Sequence, residues 1–596
     1  MRLIVKIEVL FVFIRRFLKK KVGIKGIVLI LSFFTGVFGA AAAILIKNLI
    51  HFTTSTLNSV FPESQSFYLY LLFPLIGIVL TILFVKYVVK DNLSHGVSIV
   101  LKSICKHNGK LRRHNTYSSI VASTITVGFG GSVGLEAPMV LTGSAIGSNL
   151  ARIFKLNAKN SVLLLACGCT AAIAAIFKAP VAAIIFAIEV LMLDLTGAAI
   201  LPLLIAAVTG TVMSIFFLGK GVMFNVPYMH IFIIRNIPIY ILLGLLCGLV
   251  SVFFLRMMRL IEGAFAKIKY TYLKVLLGGL ALGGLIFIFP VFYGEGYENI
   301  NTLFEGRALE LFTHSPLNQL FRVHLVFVFA LAGIFLFKVV AMALTTGAGG
   351  VGGVFAPSLF VGAFVGYFVA EVCNSYLGLD LPYTNFVLAG MAGVMTAVMH
   401  APLTAIFLIA ELSGGYGLLI PLMITSLSSF LTVYPFEKYS VYTRKLAEQG
   451  DLKTHNKDKF ALKKIDWKKL IDHDVLTIPI GTSLGDYTQY IARSKRNLFV
   501  VVDTHQRFGG LLVMDDHRDL IFRQEIYQSV VVNDLMIEPE MFIFDTDSGE
   551  DMLYKFNKTG NFNMPVITHD REYIGFLSKA KVLAAYKDVV AAESED

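Results

Sequence analysis

The chain has 596 residues, 56% of them hydrophobic and only 15% charged, with a mean hydropathy of +0.72. A soluble domain carries about 25% charged residues, so a soluble globular protein is excluded. The formal net charge of +12 does not point to nucleic acid, because much of it flanks apolar segments.

In chain order, a basic cluster from Arg15 to Lys25, RRFLKKKVGIK, precedes long apolar runs that begin near residue 26. GIVLILSFFTGVFGAAAAILI, LYLLFPLIGIVLTILFVKYVV and PIYILLGLLCGLVSVFFL are each long enough to cross a bilayer. Similar runs continue to about residue 436. They predict an α-helical polytopic membrane protein surrounded by lipid. No small-residue cleavage site precedes the first span, so no removed signal peptide is expected. Basic flanks, here also Thr443 to Lys469, stay cytoplasmic, which places both termini inside.

Other apolar segments are short or interrupted. SVLLLACGCTAAIAAIF stops at Ala179-Pro180, and VAAIIFAIEVLML after it is short for a span. Backbone broken at membrane depth has to be buried in protein or line an aqueous cavity. That pattern favours a transporter or channel over a simple anchor. The five cysteines, Cys105, Cys167, Cys169, Cys247 and Cys373, have no metal-ligand spacing and are expected to pack inside helices. No metal motif or nucleophile–base arrangement of an enzyme stands out.

Two glycine-rich turns recur. GFGGSVGLEAP (residues 128–138) and GAGGVGGVFAP (347–357) align at an offset of 353 − 134 = 219, with Phe355 where the first carries Glu136. FKAPVAAIIFAIEV (177–190) and MHAPLTAIFLIAEL (399–412) align at 402 − 180 = 222. Motifs repeated in order at nearly constant spacing describe a duplicated unit. Such repeats often run in opposite directions through the bilayer, with the site between them.

After about residue 450 the composition changes. Residues 451–474 read as a linker, 475–532 as one small α/β unit and 533–596 as a second. NLFVVVD and GGLLVMDD in the first have counterparts NMPVITHD and YIGFLSKA in the second, about 66 residues on (563 − 497).

The chemistry lies in the turns. Free N–H groups and the macrodipole make a helix N-terminus an anion site. Gly134 and Gly353 let backbone approach closely, and Pro138 and Pro357 suit a helical first turn. Two such N-termini meeting at the midplane would hold an anion without a full positive charge, which suits an ion that must also leave. Glu136 is then a tethered anion that blocks the site until it swings away or takes a proton. The alternative is a helix cap. An intramembrane carboxylate is costly and marks function by default.

These motifs resemble the CLC family of chloride channels and chloride/proton exchangers. GLEAP is similar to its G(K/R)EGP signature, with Glu136 at the gating glutamate. GVFAP resembles GxFxP, which implies that the Val354 and Phe355 amides face the anion. LSHGVSIVL (93–101) falls where the family has GSGIP, and YSVYT (439–443) where a pore tyrosine follows the last membrane helices. The tail resembles paired CBS domains, and the domain from residue 1 to 450 the CLC membrane domain. The resemblance implies an inverted repeat of broken helices, and a homodimer with a pore in each subunit conducting chloride or a similar small anion.

The departures are informative. His95 stands where many relatives have an anion-coordinating serine, followed by Gly96, with Ser98 for proline. The imidazole either coordinates the anion and adds pH sensitivity, or points away and leaves only the backbone amide. Where exchangers carry a second, proton-passing glutamate, this chain has Val190, next to Glu189. Glu189 reads as structural, with Glu411 as its counterpart, although Asp194 or water remains open as another proton path. The tyrosine is Tyr442, with Tyr439 the alternative. Lys178 either makes a vestibule positive or snorkels to headgroups.

In the tail, CBS pairs often bind adenine nucleotides through a hydroxyl and an Asp. The first copy keeps Asp516 but has Val513, and the second keeps Ser578 but has Lys581, so no cofactor is expected. The expectation is a voltage- or pH-gated chloride channel. The alternatives are a chloride/proton antiporter and, more remotely, a divalent-cation channel with CBS repeats, which would need clustered carboxylates that the turns lack.

Overall fold

The computed structural model describes residues 2–595 except 61–70, 92, 94–95, 194–196, 220, 222–223, 225, 227–230, 314 and 451–464. It divides into two compact units, Met1–Leu452 and Lys453–Asp596.

The first unit is helical. Among the described residues, seven helices are long and apolar enough to cross a membrane, and six further apolar helices are shorter. The first half comprises α1 (Arg2–Val60, broken at Gly23, φ +71), α2 (Phe73–Phe84), α3 (Gly96–Lys106), α4 (Ser118–Gly128), α5 (Glu136–Ile153), α6 (Ala158–Phe177), α7 (Pro180–Glu189) and α8 (Gly197–Leu218). The second half follows with α9 (Ile237–Lys267), α10 (Thr271–Ile288), α11 (Tyr297–Phe304), α12 (His324–Ala348), α13 (Phe355–Leu377), α14 (Tyr383–Met399), α15 (Pro402–Leu412) and α16 (Leu419–Val433). Proline sets the breaks. Pro180 and Pro402 open their helices at the first turn, each after a residue in the left-handed region, Lys178 or His400.

The two halves are related by a two-fold axis, which the contacts establish by being reciprocal. Gly134 and Gly353 exchange both backbone hydrogen bonds, at 2.9 and 2.7 Å, as a short antiparallel bridge. Ser132 N–H donates to Thr345 Oγ1, and Val351 N–H to Thr126 Oγ1. Both are the same contact, shifted by 219 residues and swapped between halves (132 + 219 = 351, 126 + 219 = 345). Glycine spacing carries the packing within each half. A Cβ on Gly143 would strike the Gly168 carbonyl, and one on Gly362 the Gly390 carbonyl, so α5 lies directly on α6 and α13 on α14. A direct head-to-tail repeat would not produce such exchanges. The membrane part is thus an inverted repeat of broken helices.

The second unit holds two three-stranded sheets. In one, β1 (Thr477–Pro479) is parallel to β2 (Leu498–Val502), and β2 antiparallel to β3 (Phe508–Val513). In the other, β4 (Ile543–Phe544), β5 (Asn563–Ile567) and β6 (Tyr573–Ser578) repeat that order. The spacing of equivalent strands is 563 − 498 = 65. β2 is apolar throughout because both its faces are buried: Phe499 and Val501 pack with Leu484, and Val500 and Val502 with Ile567 and Phe576 of the other copy. Contacts here are reciprocal too. Leu511 bridges Ile537, and Phe576 bridges Asp472, again 65 apart (511 + 65 = 576, 472 + 65 = 537). From the expected linker, residues 451–464 lie outside the described residues. Of the five cysteines, all free thiols, four are buried and Cys105 is partly so.

Candidate functional site

The bridge between Gly134 and Gly353 sets the N-termini of α5 and α13 side by side. Neither start has a side-chain cap, so the first amides of both helices are left for another acceptor. Glycine is obligatory at both bridge positions. A Cβ on Gly134 would overlap Glu136 Oε2 and press on Ala356, and one on Gly353 would sit 2.8 Å from Ala137 Cβ.

Glu136 is the first residue of α5 and is 3% exposed. Its Oε1 accepts from the Tyr297 hydroxyl. Its Oε2, folded back over Gly134, has no hydrogen-bond partner among the described residues. The Glu136 and Ala356 amides, one at each helix start, also act on this carboxylate. In the second copy Phe355 is fully enclosed and stacks on Phe177, with ring centroids 5.0 Å apart.

The other predicted residues assemble around this pair. Val354 is the residue before α13, and both it and Phe355 are buried. Gly96 begins α3 so close to α5 that a Cβ there would meet the Ala137 carbonyl. Tyr442 is buried, and its backbone carbonyl accepts from Ser98 Oγ at 3.0 Å, tying the start of α3 to the SVYT turn. Tyr439 is surface-exposed. His95, Ser94 and Asp194 lie outside the described residues. Lys178 donates to the Gly219 and Gly221 carbonyls, closing a loop.

Val190 ends α7 and is buried. Its neighbour Glu189 accepts from the Leu403 and Thr404 amides and the Thr404 hydroxyl, at 3.2, 2.7 and 2.7 Å, at the start of α15. Glu411 accepts in return from the Val181 and Ala182 amides at the start of α7, at 3.2 and 2.8 Å. Each carboxylate thus caps the helix of the other copy, near the positive end of its dipole.

The sequence reading missed the second layer around Glu136. The loop Gly294-Glu295-Gly296 lies over the first turn, held by two glycines at φ +66 and +89. Gly294 N–H reaches the Gly130 carbonyl, and Glu295 Oε1 accepts from Leu135 N–H at 3.2 Å. Lys338 from α12 is fully buried; its Nζ donates to Ser132 Oγ at 2.8 Å and the Gly294 carbonyl at 3.2 Å, and lies over the Phe360 ring. Lys47 from α1 donates to the Ile176 carbonyl at 2.7 Å. A lone carboxylate between glycines inside apolar sequence was the available signal, the same one that singled out Glu136.

In the tail, Asp516 lies in an exposed, largely acidic stretch with Asp515 and Asp519. Lys581 and Arg496 both reach Asp472. No group of three or more metal-ligating side chains occurs among the described residues.

Uncapped helix starts from two inverted copies, meeting at a buried carboxylate, define a membrane transport protein for small anions. The model of the voltage gated chloride channel family matches residues 76–434, more than half of the chain. The chain belongs to that family, whose members are channels or transporters of anions rather than enzymes. It is 30% identical over 387 residues to a ClcB-like chloride channel protein of Ralstonia nicotianae, covering 64% of this chain and 86% of that one. It is 25% identical over 484 residues to chloride channel protein CLC-f of Arabidopsis thaliana, covering 71% and 60%. Among solved structures, a slow cyanobacterial Cl−/H+ antiporter superposes with a TM-score of 0.58 at 23% identity, over 71% of this chain and 98% of that one. A eukaryotic CLC transporter superposes at 0.59 and 16% identity, over 92% and 97%. The second of these superpositions is long enough to extend the fold agreement into the α/β tail.

Proposed function

We propose that this protein is a chloride channel in which Glu136 is the gate. The observation that carries the gate is the Glu136 carboxylate, lodged between two uncapped helix N-termini with one oxygen unpartnered. A chloride ion there would meet the amides of Val354 and Phe355, the phenol of Tyr442 and the segment from His95 to Gly96, and would have to displace the carboxylate. Acid neutralises the carboxylate and opens the path, so conduction rises as pH falls. Each subunit holds its own pore, in a homodimer; exposed apolar stripes on α8 (Leu201, Leu204, Val208) and α16 (Ile420, Met423, Leu427) offer faces for a second copy or for lipid. Both termini lie on the cytoplasmic side, and the tail (475–532 and 533–596) acts as a CBS-like pair in assembly or gating without a nucleotide.

Passive conduction is favoured over exchange by Val190. An aliphatic side chain cannot relay a proton, and adjacent Glu189 is committed to three donors on α15. The second reading, a chloride/proton antiporter, draws on two structural neighbours, a Cl−/H+ antiporter and a CLC-type fluoride/proton antiporter. Chloride efflux from proteoliposomes with valinomycin, external pH recorded, separates the two. Efflux without opposing stoichiometric proton movement is the expected outcome. Coupled proton movement would replace the channel by the exchanger, and absence of chloride efflux would remove the anion assignment.

A further inference from the structure

A gate that works by losing a charge depends on the charges around it. Those around Glu136 are unevenly distributed between the two copies. Lys338 has Ser119 as its first-copy counterpart (338 − 219), so the second copy supplies a buried cation and the first a buried carboxylate. Between them comes Glu295, from a loop belonging to neither glycine turn.

Glu295 is partly exposed, whereas Glu136 is almost wholly enclosed. It accepts from Leu135 N–H, the amide immediately before Glu136. The rigid loop that positions it also carries Tyr297, whose hydroxyl donates to Glu136. The charged and titratable groups acting on Glu295 are Glu136 on α5, Lys47 on α1 and Lys338 on α12, with Tyr297 on α11. Those acting on Glu136 include Tyr297, Lys47 and Tyr442, and Lys178 lies near Lys47. In a low-dielectric setting two neighbouring carboxylates resist ionising together, and a nearby ammonium favours ionisation.

We propose that Glu295 is a positioning residue for the gate, whose charge, held by Lys338, sets the pH at which Glu136 releases the anion path. The inference rests on Glu136 being the gate. An ionised Glu295 makes the Glu136 carboxylate easier to protonate, and so opens the pore at higher pH. Lys338, which donates to the Gly294 carbonyl beside Glu295, is placed to hold that charge rather than to oppose it. Both groups touch the first glycine turn or its backbone rather than the anion position itself.

The test is the pH profile of chloride flux in proteoliposomes for wild type, E136Q, E295Q and K338Q, each checked for a monodisperse elution peak. E295Q is expected to move the flux midpoint acid-ward by about one pH unit or more, the range typical of close charge pairs, and K338Q, which deprives Glu295 of its cation, to move it the same way by less. E136Q should flatten the profile, and E136Q/E295Q should stay flat. K338Q in an E295Q background should shift nothing further, a result that loss of packing at two sites would not give. An unshifted or alkaline-shifted E295Q midpoint, or additive shifts in the double variant, overturns the proposal while leaving the gate intact, provided that E136Q is flat. A pH-dependent E136Q instead removes the gate reading, and this inference with it. Should E295Q fail to fold, the K338Q shift decides, acid-ward supporting the proposal and alkaline overturning it.

Discussion

The two glycine turns share a backbone and differ in one side chain. At the first, Glu136 brings a charge to the junction of α5 and α13; at the second, Phe355 brings a ring that stacks on Phe177. The scaffold is symmetric and its electrostatics are not. A symmetric pair of dipole ends would attract an anion equally well at all times. Under the proposed gate, a carboxylate on one copy makes that attraction conditional, while the aromatic on the other is held by its stacking on Phe177.

The largest way to break this comparison is to make both copies uncharged. With E136A, chloride flux at alkaline pH should rise about tenfold or more, since one charge at this depth amounts to more than about 1.4 kcal/mol; flux against pH in proteoliposomes reads it. The glycines come next. G134A and G353A should each cost about 1–3 kcal/mol through overpacking, measured as denaturant midpoints in detergent. They should part in an E136A background, because only the Cβ at 134 collides with the Glu136 carboxylate. Relief of G134A but not G353A is the expected result, and equal behaviour would show that the carboxylate does not rest where described.

The exchanged caps give a smaller effect. E189Q and E411Q should each lose about 1 kcal/mol of helix-end stabilisation, with E189Q the costlier because Thr404 offers a hydroxyl where Ala182 has none. T404A should bring the two closer together in the same denaturation measurement. The smallest effect lies in the tail. Arg496, aided by the Asp474 amide and Lys581, holds the Asp472 carboxyl below the usual carboxylate range. Its stabilisation is therefore present above the ordinary aspartate range and is lost as pH falls through the lowered value. Hydrogen exchange of tail amides in the full chain should become faster over that window in wild type but not in D472N, by no more than about 1 kcal/mol for so exposed a pair.

Most of the scaffold was legible because repetition is a one-dimensional property. The offsets of 219 and 222 align the residues that later exchange contacts, and Glu136 was visible as a charge that the second copy lacks. Glu189 and Glu411 were legible as structural for the same reason, though not that each serves the other copy. The layer of Glu295, Tyr297, Lys338 and Lys47 was not legible. Each is a single polar residue in or beside an apolar run, and what unites them is convergence on Glu136 and its glycine turn from elements as far as 206 residues away, as with Lys338 and Ser132. No local period encodes such a meeting. Burial can be inferred from pattern; the partner of a buried charge cannot.

The exchanged caps also bear on how the chain is made. The amides that open α7 are synthesised 229 residues before the Glu411 that will satisfy them. At about 5–20 residues per second, that is a wait of roughly 10–45 s. Throughout it, the first half sits in the bilayer with helix starts that nothing in its own sequence satisfies. These caps can therefore close only late in synthesis, and a nascent chain stalled before residue 411 is expected to be a substrate for membrane quality control rather than a half-built pore.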